Sequence, residues 1–215
     1  GQAYSYLAFT ISHFVFLGFS KNSEGDIKKA KFYVEKALDC DNRDSLAHEM
    51  LARIYSLSKN HDQAVEAAKK AIECNVNSSS AYMFYASALT FANRCEEALE
   101  PIDQAIKLSP RDPRTFNFLM NKAMIVGEMG DLKLSVDLAR KAVAIPQGDF
   151  RPALILAIYC AKSGLLDEAQ KAIERVLEII PNFTLTKLKE NFFSHFETKL
   201  LDNYVLNLSK LDVPK

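Results

Sequence analysis

Two stretches decide the fold: GDLKLSVDLARKAVAI, residues Gly130–Ile145, and SGLLDEAQKAIERVLEIIPN, residues Ser163–Asn182. Each leaves a glycine turn and then sets a small residue with further small or apolar residues four and seven positions on: Ser135, Ala139 and Ala142 in the first, Ala169, Ile173 and Val176 in the second. That spacing is one face of an α-helix, narrow enough for another backbone to approach. The triplet recurs upstream as Ala30, Val34, Ala37, then Ala64, Ala68, Ala71, then Ala98, Ile102, Ala105. Successive first members lie 34, 34, 37 and 34 residues apart. Five registers at a nearly fixed step define a repeat, and the period predicts two helices per unit.

Neighbouring columns carry the same period. Five residues before each leading small residue stand Gly25, Lys59, Asn93, Gly130 and Gly164, read as turn positions. Twelve residues after it the second helix is expected to stop, at Asn42, Val76, Pro110, Gln147 and Pro181. First helices are expected near 3–19, 44–57, 78–91, 113–128 and 149–162, and second helices near 26–40, 61–74, 95–108, 132–144 and 166–179. The unit holding Pro110 to Gly130 is longer than the others, which predicts an extended first helix or a wider loop before it.

In these columns the chain resembles the tetratricopeptide repeat. The resemblance implies an all-α, right-handed solenoid of about five helix pairs, at 3–42, 43–76, 77–110, 111–147 and 148–181, within an array at 1–181. Each pair hides its apolar stripe only by stacking on a neighbour, and the stack leaves a concave groove. Past Pro181 the period stops, and 182–215 reads as C-terminal capping helices carrying Phe192, Phe193, Phe196, Leu200, Tyr204 and Leu208.

A narrower resemblance rests on EEALEPIDQAIKLSPRDPRTFNFLM and on a tail with Phe183, Thr184, Leu185 and Val213, Pro214. Those features are similar to the C-terminal arrays of bacterial class III adenylate or guanylate cyclase-like proteins and of winged-helix transcriptional regulators. They imply the interaction end of a larger bacterial regulator, in keeping with a chain that opens at Gly1. A free-standing adaptor of the same fold is the alternative.

Composition narrows the function. Twenty-seven Lys and Arg balance 27 Asp and Glu, so no net positive field draws the segment onto nucleic acid or an acidic membrane surface. The apolar run Ala3–Phe19 has no basic leader and is broken by Ser5, Thr10, Ser12 and His13, so it reads as a buried first helix and not a membrane span. Seven glycines and seven prolines are too few to punctuate an all-β fold. Cys40, Cys74, Cys95 and Cys160 form no CxxC and read as reduced packing residues of a cytoplasmic protein. No phosphate loop, HExxH or GxSxG occurs, and His13, His48, His61 and His195 fall on different units. The expectation is therefore a non-catalytic module without metal or cofactor, whose partner is a protein or peptide; homo-oligomerisation stays open.

The resemblance places the binding surface on the first helices. Carried over by register, the groove holds Ser12, Val15 and Phe19; Leu46, Glu49 and Arg53; Ser80, Met83 and Ser87; Asn117, Met120 and Met124; and Arg151, Leu154 and Ile158. Met120, Met124, Leu154 and Ile158 are expected as an apolar floor, with Arg53 and Arg151 as polar flanks. Two occupants of that floor stay open: a partner peptide, or the protein's own tail. The basic clamp with which related arrays grip chaperone C-termini is missing, since the matching positions read Glu49, Arg53, Phe84, Asn117 and Asn121.

Overall fold

The computed structural model describes residues 1–146 and 148–214; the helix stop expected at Gln147 and the final Lys215 lie outside the described residues. Ten helices follow in antiparallel pairs: α1 Gln2–Phe16 with α2 Ser23–Cys40, α3 Ser45–Leu57 with α4 His61–Cys74, α5 Ser79–Phe91 with α6 Cys95–Leu108, α7 Thr115–Glu128 with α8 Leu132–Ala144, and α9 Arg151–Lys162 with α10 Leu166–Ile179. The tail adds α11, Leu185–Lys187, a wide π-helical turn at Leu188–Phe192, and α12, Thr198–Leu208. No strand occurs among the described residues.

The small-residue triplets are where the pairs close. All fifteen of their side chains, from Ala30 to Val176, are fully buried. A bulkier residue there would hold the facing backbone away.

Each first helix ends in the same way. The second residue past it adopts positive φ, at Gly18, Lys59, Asn93, Gly130 and Gly164. The next N–H reaches back five residues to a carbonyl: Phe19 to Phe14, Asn60 to Tyr55, Arg94 to Leu89, Asp131 to Val126, and Leu165 to Cys160, at 2.8–3.1 Å. This is the helix-ending motif that satisfies the last orphan carbonyls. Several helix starts are fixed by side chains, with Asp44 accepting from the Ala47 N–H, Ser78 from Ala81 and Asp131 from Leu134.

The first pair departs from the expected register. Its left-handed residue is Gly18, while Gly25 lies inside α2, which has 18 residues where α4 has 14. Counting back from Ala30 therefore set the α1 positions about two turns out of step. The long unit widens chiefly in its loop, since α7 starts only at Thr115.

A buried tail meets the front of the array. Phe192 lies against Gly18, His195 packs on Phe16 at 4.9 Å between centroids, and the Glu197 N–H donates to the Phe91 carbonyl at 3.0 Å. Tyr204 meets Tyr159 of α9 through their hydroxyls at 2.9 Å. Phe183, Phe192, Phe193, Phe196, Leu200, Tyr204 and Leu208 share one core with Leu154, Ile158 and Tyr159. The tail thus crosses the concave side from the fifth pair to the first, instead of capping only the last.

Candidate functional site: a cavity on the concave face

The five first helices and the tail line a partly open cavity of about 490 Å³. Its walls are apolar and aromatic, with Phe9 and Phe16 from α1, Met83, Phe84 and Phe91 from α5, and Met120 and Met124 from α7; Phe193 and Phe196 of the tail close one side. The curvature is tight enough for the guanidinium of Arg151, on the fifth pair, to lie 5.2 Å above the ring of Phe16, on the first.

The expected groove residues separate into two groups. Arg53, Met83, Ser87, Asn117, Met120, Met124 and Arg151 all line the cavity. Leu154 and Ile158 do not. Both are fully buried in the core that α9 shares with Phe192, Phe193, Tyr204 and their neighbours, so the expectation that they form a floor open to a partner is corrected: the tail covers them. Ile155, one position along, reaches the cavity instead.

On α1 the shifted register has a direct consequence. Ser12 and Val15 are buried in helix packing and Phe19 is exposed, whereas Tyr6, Phe9, His13 and Phe16 face the cavity. Anchoring the unit on Gly18, the glycine that ends the first helix, gives Ser5, Ala8 and Ser12, which are buried, so the cavity residues of α1 lie one position further along than on the other first helices.

Polar groups at the wall are few and mostly engaged. Glu49, only 3% exposed, accepts from Ser80 at 2.7 Å and from Ser78 at 3.2 Å; burial pushes its carboxyl up, against the hydrogen bonds from the two serines and the Arg53 charge. Arg151 pairs with Asp149 and donates to the Asn117 amide oxygen at 3.2 Å. Ser87 donates to Asn121 at 2.9 Å. Arg53 is held between rings, its guanidinium carbon 4.7 Å from the Phe84 centroid, 5.2 Å from Phe9 and 5.4 Å from Phe16. Burial, and then the Arg151 charge, hold that guanidinium below its usual range.

Two imidazoles are similarly perturbed. His13, stacked on Phe9 at 5.4 Å, is brought down to about 4 by burial and then by Arg53 and Arg151, against Asp149. His195, fully enclosed by Phe16, Phe91, Phe193 and Phe196, is brought down to about 3, chiefly by burial. Both rings are neutral at pH 7. No cluster of three His, Cys, Asp or Glu side chains suited to a metal occurs among the described residues. Cys95 and Cys160 are buried, but Cys40 is exposed at its helix end, so the packing role expected for it does not hold.

Stacked antiparallel helix pairs, a left-handed stop after every first helix and one concave cavity define a helical-repeat solenoid of the tetratricopeptide type. Residues 47–75, in the second pair, match the tetratricopeptide repeat family. No curated protein matches the chain in sequence. Among solved structures, the type IV pilus biogenesis factor PilW is similar at 18% identity with a TM-score of 0.70, over 98% of this chain and 94% of that one. TTC0263, a tetratricopeptide-repeat protein of Thermus thermophilus, is similar at 19% identity and 0.67, over 93% and 99%. YrrB, described as having an unusual peptide-binding site, is similar at 16% identity and 0.53, over 83% and 86%. At these identities the likeness is one of fold. No helix among the described residues is long and apolar enough to cross a membrane.

Proposed function

We propose that the chain is a non-catalytic interaction module that holds a segment of a partner polypeptide on its concave face, above the cavity. The observation that carries this is the convergence of all five first helices on one apolar, aromatic cavity that the tail lines only through Phe193 and Phe196. Met83, Ser87 and Asn117, half-buried at the wall, are the positions at which partner side chains would enter. The peptide-binding site named for YrrB supports the reading by analogy of fold.

The finer reading, that the module is the regulatory end of a larger bacterial signalling or transcriptional protein, draws its support from the tail. Thr184 caps α11, and the Leu185 N–H donates to the Pro214 carbonyl at 2.9 Å, joining the two parts of the tail that carry half of that resemblance. Peptides selected from a random displayed library test the module. Their binding should be lost in Ser87→Trp, which fills the cavity, and kept in Lys70→Glu on the outer helix α4. Equal binding by folded Ser87→Trp protein would move the site elsewhere.

A further inference from the structure

Four of the five first helices are covered by the pair before them: α3 packs on α2, α5 on α4, α7 on α6 and α9 on α8. Among the described residues no second helix stands before α1. By the residues they turn to the cavity, His13 of α1 takes the place of Arg53, Ser87 and Met124 on α3, α5 and α7. In that register Leu7 corresponds to Ala47, Ala81 and Phe118, and Phe14 to Ile54, Ala88 and Ile125. Those six residues are at most 2% exposed, whereas Leu7 and Phe14 are 44% and 55% exposed. The face concerned is the one turned to the preceding second helix. Ala47 and Ile54 share a core with Ala30, Val34 and Ala37 of α2, and Phe118 and Ile125 share one with Ala98, Ile102 and Ala105 of α6. At the place of Ile11, Lys122 of α7 pairs with Asp103 of α6.

On α1 this face is an apolar stripe of Tyr4, Leu7, Ile11 and Phe14, flanked by Tyr33 of α2, stacked on Tyr4 at 6.1 Å, and by Phe19, edge-on to Phe14 at 5.9 Å. Solenoid ends are ordinarily polar, and an uncovered apolar stripe marks an interaction surface. Charge and spacing select its occupant. Residues 1–20 hold no Lys, Arg, Asp or Glu, so two such stripes neither repel each other nor bury a charge. The stripe also has the same spacing read from either end. Set antiparallel, a second stripe brings Tyr4 against Phe14 and Leu7 against Ile11, each contact made twice, as a two-fold axis requires. An antiparallel helix is what covers this face in every later gap of the stack.

We propose that α1 is the interface of a two-fold dimer, in which the α1 of a second copy stands where a second helix stands elsewhere in the array. The cavity residues Phe9 and His13 lie on another side of α1, so the concave face stays free.

Sedimentation velocity of the native chain between about 1 and about 500 µM should show a monomer passing to a dimer, with a dissociation constant of about 1–100 µM for an interface as small as one helix on one helix. Leu7→Glu and Phe14→Glu, at exposed sites, should each weaken the dimer at least about tenfold, while Leu206→Glu, at an exposed leucine of α12, should leave it unchanged. Tyr4→Lys combined with Phe14→Glu sets opposite charges across the axis and should restore it. Should a single variant fail to fold, dilution of the native protein followed by ¹³C-methyl NMR decides, because Leu7 and Ile11 should shift and Leu206 should not. A native chain that stays monomeric, a dimer that survives both single substitutions, or one weakened equally by Leu206→Glu would overturn the proposal and assign the stripe to another helix or partner. Failure of the combined variant to dimerise would overturn the antiparallel pairing. The peptide experiment reads the concave face, so it and this one succeed or fail separately.

Discussion

His195 makes the position of the tail measurable. Its ring is 1% exposed, wrapped by four phenylalanines, with both nitrogens lacking a partner, and burial brings it down to about 3. Above pH 6.5 the imidazole is neutral in folded and unfolded chains alike, so it contributes no pH dependence there. As pH falls below that value the unfolded chain takes up the proton and the folded one does not, so stability is lost progressively until pH reaches about 3. Between pH 7.5 and pH 5 the loss from this ring is about 2 kcal/mol. His195→Phe removes it while keeping an aromatic of similar shape, and the other histidines, common to both proteins, cancel in the comparison. Denaturant melts at the two pH values should therefore show the native protein losing about 2 kcal/mol more than the variant. At pH 7.5 the variant should be at least as stable, since two unmet nitrogens are gone. The ring's own NMR signals should not titrate between pH 8 and pH 5. A midpoint near 6.5, or equal losses in the two proteins, would mean that the ring is solvated and that the tail does not lie across the concave side.

Two further expectations concern packing. A Cβ on Gly127 would fall 2.3 Å from Tyr159 Cε1 and 2.7 Å from Ser135 Oγ. Tyr159 cannot easily yield, because its hydroxyl meets the Met124 carbonyl, Glu128 and Tyr204. Gly127→Ala should thus cost about 1–3 kcal/mol in overpacking against about 1 kcal/mol of helix propensity gained, lowering Tm by a few degrees in calorimetry; a raised Tm would contradict the packing described. Burial pushes the Cys95 and Cys160 thiols up to about 11 and about 12, whereas Cys40 is exposed, so a disulfide reagent at pH 8 should label Cys40 rapidly and the two buried thiols only on unfolding; four equal rates would refute this.

The second helices and the triplets were legible because a position needed at every inter-helix contact repeats at the spacing of the contact. The cavity residues on α3, α5 and α7 were legible for the same reason. On α1 the reading failed because the repeat was anchored on the second helix, and the extra residues of the first pair lie between Gly18 and Ala30, in the loop and the lengthened start of α2, where no packing column records them. Leu154 and Ile158 failed differently. Their register was right, but what covers a helix face is decided by a segment outside the period, and Phe192 to Tyr204 carries no repeat signal to say where it docks. Arg53 was placed at the groove; that it stands among three rings depends on side chains from α1 and α5 as well as its own helix.

The contact between Gly18 and Phe192 bears on how such an array can change. A Cβ at Gly18 would stand 2.6 Å from the Phe192 ring, and φ there is +72°, so the first helix pair and the tail meet at a point with no slack. Open solenoids lengthen by gene duplication, since each unit needs only its neighbours. Here an inserted unit would pull the first pair away from the tail and open the aromatic seam between them. The length of this array is therefore set by closure, much as the strand number of a barrel is.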